Sequence, residues 1–315
     1  MSATQDSFIN IYMFIILATN ARINNRMKNF EIETLEGENI PEMLREIPDA
    51  PKKLYIKGTL PSPDTKILAV VGSRKYTQYG KDVCEKLISG LRGYNICIVS
   101  GLALGIDGIA HKAALNAGLK TIAIPGSGLD ESVLYPSTHK QLAEKILESG
   151  GALISEFEPK FRATPYSFPQ RNRIMAGLSH AVLVIEAEIK SGTLITSKFA
   201  TEYNRDVLTV PGSIFSKNSE GPNMLIRLGA TPVRSSEDIL EALGFKINEE
   251  PQNLELKYSD CSEEELLVIK LLSEPLEKDE LIRALKMPVS RASTIISIME
   301  IKGLIKESLG EIRLI

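Results

Sequence analysis

AVVGSRKYTQYG, residues 69–80, is the stretch that decides the fold. An apolar run ends in a glycine loop, and a segment of helical period, 78–92, follows. That is a strand, a loop and a helix. Nucleotide-binding folds keep such a loop bare, so that backbone N–H groups can approach a phosphate. Here Ser73, Arg74 and Lys75 stand at its tip, followed by Tyr76 and Tyr79. The residue types point to an anion bound at the head of a helix, and leave open whether the tyrosines stack on a ligand or pack in the core.

Further along the chain, apolar runs recur at 67–71, 96–100, 121–125, 152–155, 181–185 and 207–211. Helical-period segments lie between most of them, at 78–92, 105–118, 138–149 and 194–205. AVLVIEA shows no polar alternation, so it is buried on both faces, as in a parallel sheet covered by helices. The pattern predicts an α/β fold: an extended Rossmann-like, doubly wound, mostly parallel sheet. Glycine-rich loops (GSR, SGLALGID, PGSGLD, KSGTLIT and PGSI) follow the strands, at the ends where an open sheet binds ligands.

The flanks differ. Residues 8–19 are apolar, but twelve residues are too few to span a bilayer, and no basic segment precedes them as in a secretory signal. Residues 1–39 are expected to be a poorly ordered tail, with 1–26 either loose or an over-extended start ahead of Met27. The main domain is expected over 40–244 and a polar linker over 245–260. Residues 261–315 read as a small winged-helix domain, opened by a Ser262/Glu265 capping box and closed by a hairpin at Gly310. That segment carries ten acidic and eight basic residues, and the whole chain of 315 residues has a net charge of −3. A globally basic nucleic-acid binder is excluded; a local basic groove is not.

Several enzyme classes are disfavoured. Gly72 and Gly80 lack the G-x-G-x-x-G spacing, the second strand ends in glycine rather than an acidic ribose clamp, and no P-loop is present. His111, His139 and His180 are isolated and read as structural. Cys84, Cys97 and Cys261 have no metal spacing and read as reduced, with Cys84 and Cys97 in the core. Asp107 reads as a first-turn carboxylate favoured by the helix dipole. No cofactor, metal or catalytic residue is expected.

Residues 156–179 suit binding better. Lys160, Arg162, Arg171 and Arg173 interleave with Phe157, Phe161, Tyr166 and Phe168, and three prolines keep the segment extended up to Gln170. A helix is expected there, with Arg171 and Arg173 in its first turn, where the dipole disfavours cations unless an anion is bound. The alternative is that these arginines pair with Glu156 or Glu158. Cations that track a backbone, with aromatic faces for bases, are what single strands require.

PKKLYIKG, AVVGSRKYTQYG, IVSGLALGIDGIAHKAAL, GGALISEFEP, FPQRNRIMAGLS and EAEIKSGTLITSKFA together resemble the DNA-processing protein A family (DprA/Smf) over residues 50 to about 243. The resemblance implies a single-stranded DNA-binding, dimerising Rossmann domain that helps load a RecA-type recombinase in natural transformation. It implies a cytoplasmic protein with no chemical step and no membrane. The family's glycine-serine-arginine motif falls on Gly72, Ser73 and Arg74, and its arginine-asparagine-arginine motif on Arg171, Asn172 and Arg173, preceded by Phe168. A lysine that some members carry three residues before the aromatic is Pro165 here, which leaves Lys160 or Arg162 as replacements. The expected DNA-binding set is completed by Gly101, Gln170, Lys190, Ser191 and Gly192. Homodimer contacts are sought among Ile214, Phe215, Met224, Leu225 and Ile226, which serve equally as core. The competing reading is a nucleotide-cleaving enzyme of the phosphoribohydrolase type, from Ser191-Gly192-Thr193, although Glu202 lies nine residues beyond Thr193 where three are needed.

Overall fold

The computed structural model describes residues 30–246, 261–272, 275–308 and 310–314. The apolar stretch 8–19, the proposed start at Met27 and most of the expected linker fall outside them. The chain divides into two units between Ile247 and Asn248.

The first unit is built on a nine-stranded sheet. In chain order its strands are β1 (Glu33–Glu36), β2 (Lys53–Gly58), β3 (Lys66–Val71), β4 (Ile96–Ser100), β5 (Lys120–Ala123), β6 (Ala152–Ser155), β7 (Ala181–Val184), β8 (Asp206–Thr209) and β9 (Thr231–Pro232). They lie in the order β1-β2-β6-β5-β4-β3-β7-β8-β9. From β6 to β9 every pairing is parallel; β1 and β2 add an antiparallel margin, with Tyr55 opposite Ser155. β1 corrects one expectation, because residues 33–36 belong to the sheet and not to a tail.

The period of two explains the layers. Leu68 and Val70 of β3 face one core, built with α2 (Gln78–Ser89), α3 (Ile106–Asn116) and α8 (Ser236–Ala242). Ile67, Ala69 and Val71 face the other, built with α1 (Glu42–Arg45), α5 (Ser167–Leu178) and α6 (Thr193–Glu202). α4 (Lys140–Glu148) closes a third cluster over β5 and β6, while Leu225 of α7 (Glu220–Arg227) joins the second. Cys84 and Cys97 are fully buried, and burial pushes the Cys97 thiol up to about 12. His180 also serves the sheet, its Nδ1 accepting the Ile67 N–H at 3.0 Å.

Strands β3 to β6 run outward in one direction, and β7 returns to the other side of β3. The order therefore reverses between β3 and β7. Such a reversal opens a crevice at the carboxyl ends of the strands, because the adjoining loops leave in opposite directions.

The second unit contains α9 (Glu263–Leu271), β10 (Leu276–Glu277), α10 (Lys278–Ala284), α11 (Val289–Ile301), β11 (Ile305–Ser308) and β12 (Glu311–Leu314). Its sheet is antiparallel, in the order β10-β12-β11, and Val268, Leu281, Ile296, Met299 and Ile312 form its core. Ser262 accepts from the Glu265 N–H while Glu265 accepts from the Ser262 N–H, closing the capping box. No helix among the described residues is long and apolar enough to cross a membrane.

Candidate nucleic-acid interface

At the reversal between β3 and β7 lies a crevice of about 380 Å³. The loop after β3 gives it Gly72, Ser73, Arg74 and Lys75; α5 gives Phe168, Arg171 and Asn172; the loop after β7 gives Glu188, Lys190, Ser191 and Gly192. Thr193 and Thr196 of α6 and Asp107 of α3 also line it. Four cations thus face two carboxylates.

The β3 loop is shaped by its own polar atoms. Ser73 Oγ accepts the Lys75 N–H at 3.0 Å, and the Ser73 carbonyl accepts the Ile106 N–H at 3.2 Å. A β-carbon on Gly72 would overlap the Ile106 side chain, so this glycine lets α3 approach β3. Arg74 turns its guanidinium over the Phe168 ring, 5.2 Å from the centroid. The loop is anchored from behind by Glu186, a buried carboxylate that accepts both the N–H and the hydroxyl of Thr77. Thr77 in turn caps α2, accepting the Gly80 N–H at 3.1 Å. Asn218 donates to the Lys75 carbonyl at 2.7 Å and so ties the loop after β8 to the same structure. The Tyr79 hydroxyl donates to the Pro211 carbonyl at 2.8 Å, while its ring and that of Tyr76 stay half-exposed.

Arg171 and Arg173 part company. α5 begins at Ser167, not at Gln170, because proline is tolerated in a first turn and Pro169 sits there. Both arginines therefore lie in the second turn, beyond the reach of the dipole argument. Arg171 is buried. It donates to the Ile124 carbonyl and, through Nε, to Asn172 Oδ1 at 2.9 Å. A β-carbon on Gly101 would collide with its guanidinium, which is the role of that glycine. Burial pushes Arg171 down to about 10, with Asp107 opposing the shift and Arg74 adding to it. Burial likewise pushes the Asp107 carboxyl up, against the pull of Arg171 and an N–H from Ala103. Asn172 uses its amide to donate to the Gly192 carbonyl at 3.2 Å, bracing the loop after β7.

Arg173 points the other way. It forms an ion pair with Glu156 and donates to the Asp49 carbonyl, so the pairing alternative holds for this residue. Lys160, Arg162 and Gln170 are exposed, and none of them lines the crevice. Of the expected set, the crevice brings together Gly72, Ser73, Arg74, Lys75, Phe168, Arg171, Asn172, Lys190, Ser191 and Gly192. Glu186, Asn218, Glu188 and Thr196 escape sequence reading. Glu186 alone leaves a visible trace, as a carboxylate at the end of an uninterrupted apolar run. Thr196 is buried against the crevice, and its hydroxyl has no hydrogen-bond partner among the described residues. Glu202, the acid of the nucleotide-cleaving reading, is exposed and pairs with Lys198 at 3.7 Å.

The fold is a Rossmann-like doubly wound sheet with a cationic crevice at its reversal, the place where open α/β sheets bind their ligands. The family model of DNA recombination-mediator protein A matches residues 31–244, and the chain belongs to that family. It is 42% identical over 220 residues to protein Smf of Escherichia coli K12, an alignment covering 70% of this chain and 58% of that protein. It is also 42% identical over 226 residues to DNA processing protein DprA of Streptococcus pneumoniae, covering 72% and 79% of the two chains. The chain thus spans little more than half the length of the Escherichia coli relative. Among solved structures, that of DNA processing protein A from Streptococcus pneumoniae superposes with a TM-score of 0.63 at 40% identity, covering 72% of this chain and 78% of that one. The Helicobacter pylori protein, whose structure was described for its unique single-stranded DNA binding mode, superposes with a TM-score of 0.60 at 32% identity. That superposition covers 68% of this chain and 96% of the other.

Proposed function

We propose that the crevice between β3 and β7 binds the backbone of single-stranded DNA, and that the protein holds and hands over the strand without a chemical step. One observation carries the reading: Arg74, Lys75 and Lys190 line one crevice and form no ion pair among the described residues. Unpaired cations keep their full charge for phosphate, and the arginine fork adds directed hydrogen bonds. Arg171, Asp107 and Asn172 act from beneath, fixing the floor and the loop after β7. The single-strand binding reported for the Helicobacter pylori relative supports the choice of ligand.

Family membership supports a finer reading: the strand passes to a RecA-type recombinase in the cytoplasm, during natural transformation or recombination. We assign the protein a homodimeric state. Its contact is sought at Ile214 and Phe215, which are 82% and 93% exposed, rather than at Leu225, which is 9% exposed and belongs to the core. The test is a gel shift with oligo-dT against duplex of equal length. Retention of oligo-dT at protein concentrations that leave duplex free supports the reading; equal binding of both, or of neither, overturns it.

A further inference from the structure

Beyond Phe168 the flat faces continue. Tyr135, in the loop after β5, is 48% exposed, and its ring centroid lies 5.8 Å from that of Phe168, with the planes tilted by 51°. Phe168 already lies under Arg74. Arg74, Phe168 and Tyr135 therefore make one continuous run, from the β3 loop towards the β5 side of the sheet.

This run is held rigidly from below. A β-carbon on Gly126 would enter the Phe168 ring, so the glycine lets the ring lie flat on the β5 loop. Ser167 Oγ donates to the Gly126 carbonyl at 2.6 Å, fixing the start of α5 to the same loop. The Tyr135 N–H donates to Ser127 Oγ at 3.3 Å, and the Ser127 carbonyl accepts from Ser155 Oγ of β6 at 2.7 Å. Near this end Asp130 accepts the N–H of Ser132 at 2.9 Å and its hydroxyl at 2.5 Å. Among the described residues the Tyr135 hydroxyl makes no hydrogen bond. The ring is positioned by its backbone and by Phe168, yet stays half in water.

We propose that Tyr135 is a base-stacking residue. A strand whose phosphate sits in the loop at 72–75 lays a neighbouring base on the exposed part of the Tyr135 ring, beside the Phe168 ring that Arg74 covers. Stacking on aromatic rings is sequence-tolerant, because every base has a π-face. The inference rests on the single-strand reading of the crevice.

The test measures binding of fluorescein-labelled oligo-dT, and of the same backbone with abasic sites, to the full chain by anisotropy. Tyr135→Ala is expected to weaken oligo-dT binding at least fivefold, the low end of what one stacked base contributes. Tyr135→Phe stays within about twofold of wild type, since the hydroxyl is not needed. Binding of the abasic backbone is unchanged in both. Tyr135→Leu, which keeps apolar bulk without the π-face, follows the alanine variant and covers the case in which that one misfolds. Wild-type affinity for oligo-dT in both Tyr135→Ala and Tyr135→Leu overturns the proposal, as does an equal loss on the abasic strand; both leave the crevice reading standing. Failure of the wild-type protein to bind oligo-dT at all removes the crevice reading itself.

Discussion

In the crevice, Arg74, Lys75 and Lys190 form no ion pair among the described residues. In the C-terminal unit, Arg291 holds Glu264, Lys278 holds Glu307 at 3.1 Å and Lys302 holds Glu265 at 2.7 Å. The crevice cations converge on one cavity, whereas three of the eight cations of the C-terminal unit, among them the one in α11, are already held by acids. A residue that must draw phosphate from water gains little if a carboxylate has to leave first. The comparison also shows why net charge misleads: the chain is net −3, yet one crevice concentrates four cations against two acids.

The floors differ as well, and acid is the largest lever on that difference. His111 of α3 is fully buried against Thr121. Thr121 donates its hydroxyl to the Ile98 carbonyl at 2.8 Å, so the contact of 2.7 Å between Thr121 and His111 Nδ1 has the imidazole as donor. Burial pushes His111 from 6.5 down to about 3, so the folded state keeps it neutral while the unfolded chain takes up a proton. A folded pKa below the unfolded one gives stability that is complete above pH 6.5 and lost as pH falls towards 3, up to about 5 kcal/mol by linkage. In the C-terminal unit, Glu265 is held below the ordinary glutamate value of 4.5 by Lys302 and Ser262. Its contribution is complete above 4.5 and fades only below it. Hydrogen exchange from pH 7 to pH 5 should therefore loosen residues 30–246 before 261–314, and His111→Leu should flatten that response. Simultaneous loosening of both units would break the contrast.

Arg74 comes next. Arg74→Ala should weaken oligo-dT binding by about 1–3 kcal/mol, the range for a hydrogen bond to a charged group. The fold should be intact, since Ser73, Thr77 and Glu186 shape the loop without it. Arg291→Ala should change the same affinity by less than about 0.5 kcal/mol, because its charge is already spent on Glu264. Titration of both variants with oligo-dT checks the pair, and reversed effects would exchange the roles of the two regions.

Salt sharpens the argument further. Each phosphate neutralised on a single strand contributes about −0.7 to the log–log slope. Three unpaired cations give a slope near −2. Counting Arg173 and Lys160 would steepen it, but Arg173 is held by Glu156 and Lys160 lies outside the crevice. A slope near −3.5 would return those residues to the site.

The parallel sheet was legible because buried runs such as AVLV and ICIVS show no polar alternation, and helical periods separate them. β1 was not, because it is an edge strand with Leu35 as its sole half-buried residue, which leaves no alternation to read. The β3 loop could be read from its residue types. The division between Arg171 and Arg173 could not: residues two apart on a helix leave it on different sides, and which side faces the crevice depends on where α5 begins. Pro169, read as a breaker, sits inside the first turn and shifts that start by three residues. Glu186 and Asn218 act across more than one hundred residues of chain, on Thr77 and Lys75, and short-range patterns do not record such contacts.

The smallest effect should come from the largest change. Removing residues 250–315 deletes an entire unit whose element order suggests DNA recognition. Phosphate anchoring there is poor, with ten acidic residues against eight basic and three cations already paired. Arg291 is the only cation in the sequence of α11, and Ile295, Ile296 and Met299 are buried in the packing of that helix. Ser290 and Thr294 remain outward, yet Thr294 spends its hydroxyl on the Ser290 carbonyl at 2.9 Å. A helix without free cations cannot supply the backbone contacts that dominate nucleic-acid affinity. We therefore expect the truncated protein to bind oligo-dT within about 0.5 kcal/mol of the full chain, and with the same salt slope. That outcome would assign the C-terminal unit to a protein contact or to regulation. Loss of most single-strand affinity in a truncation that keeps its fold would move the DNA site out of the crevice and into this unit.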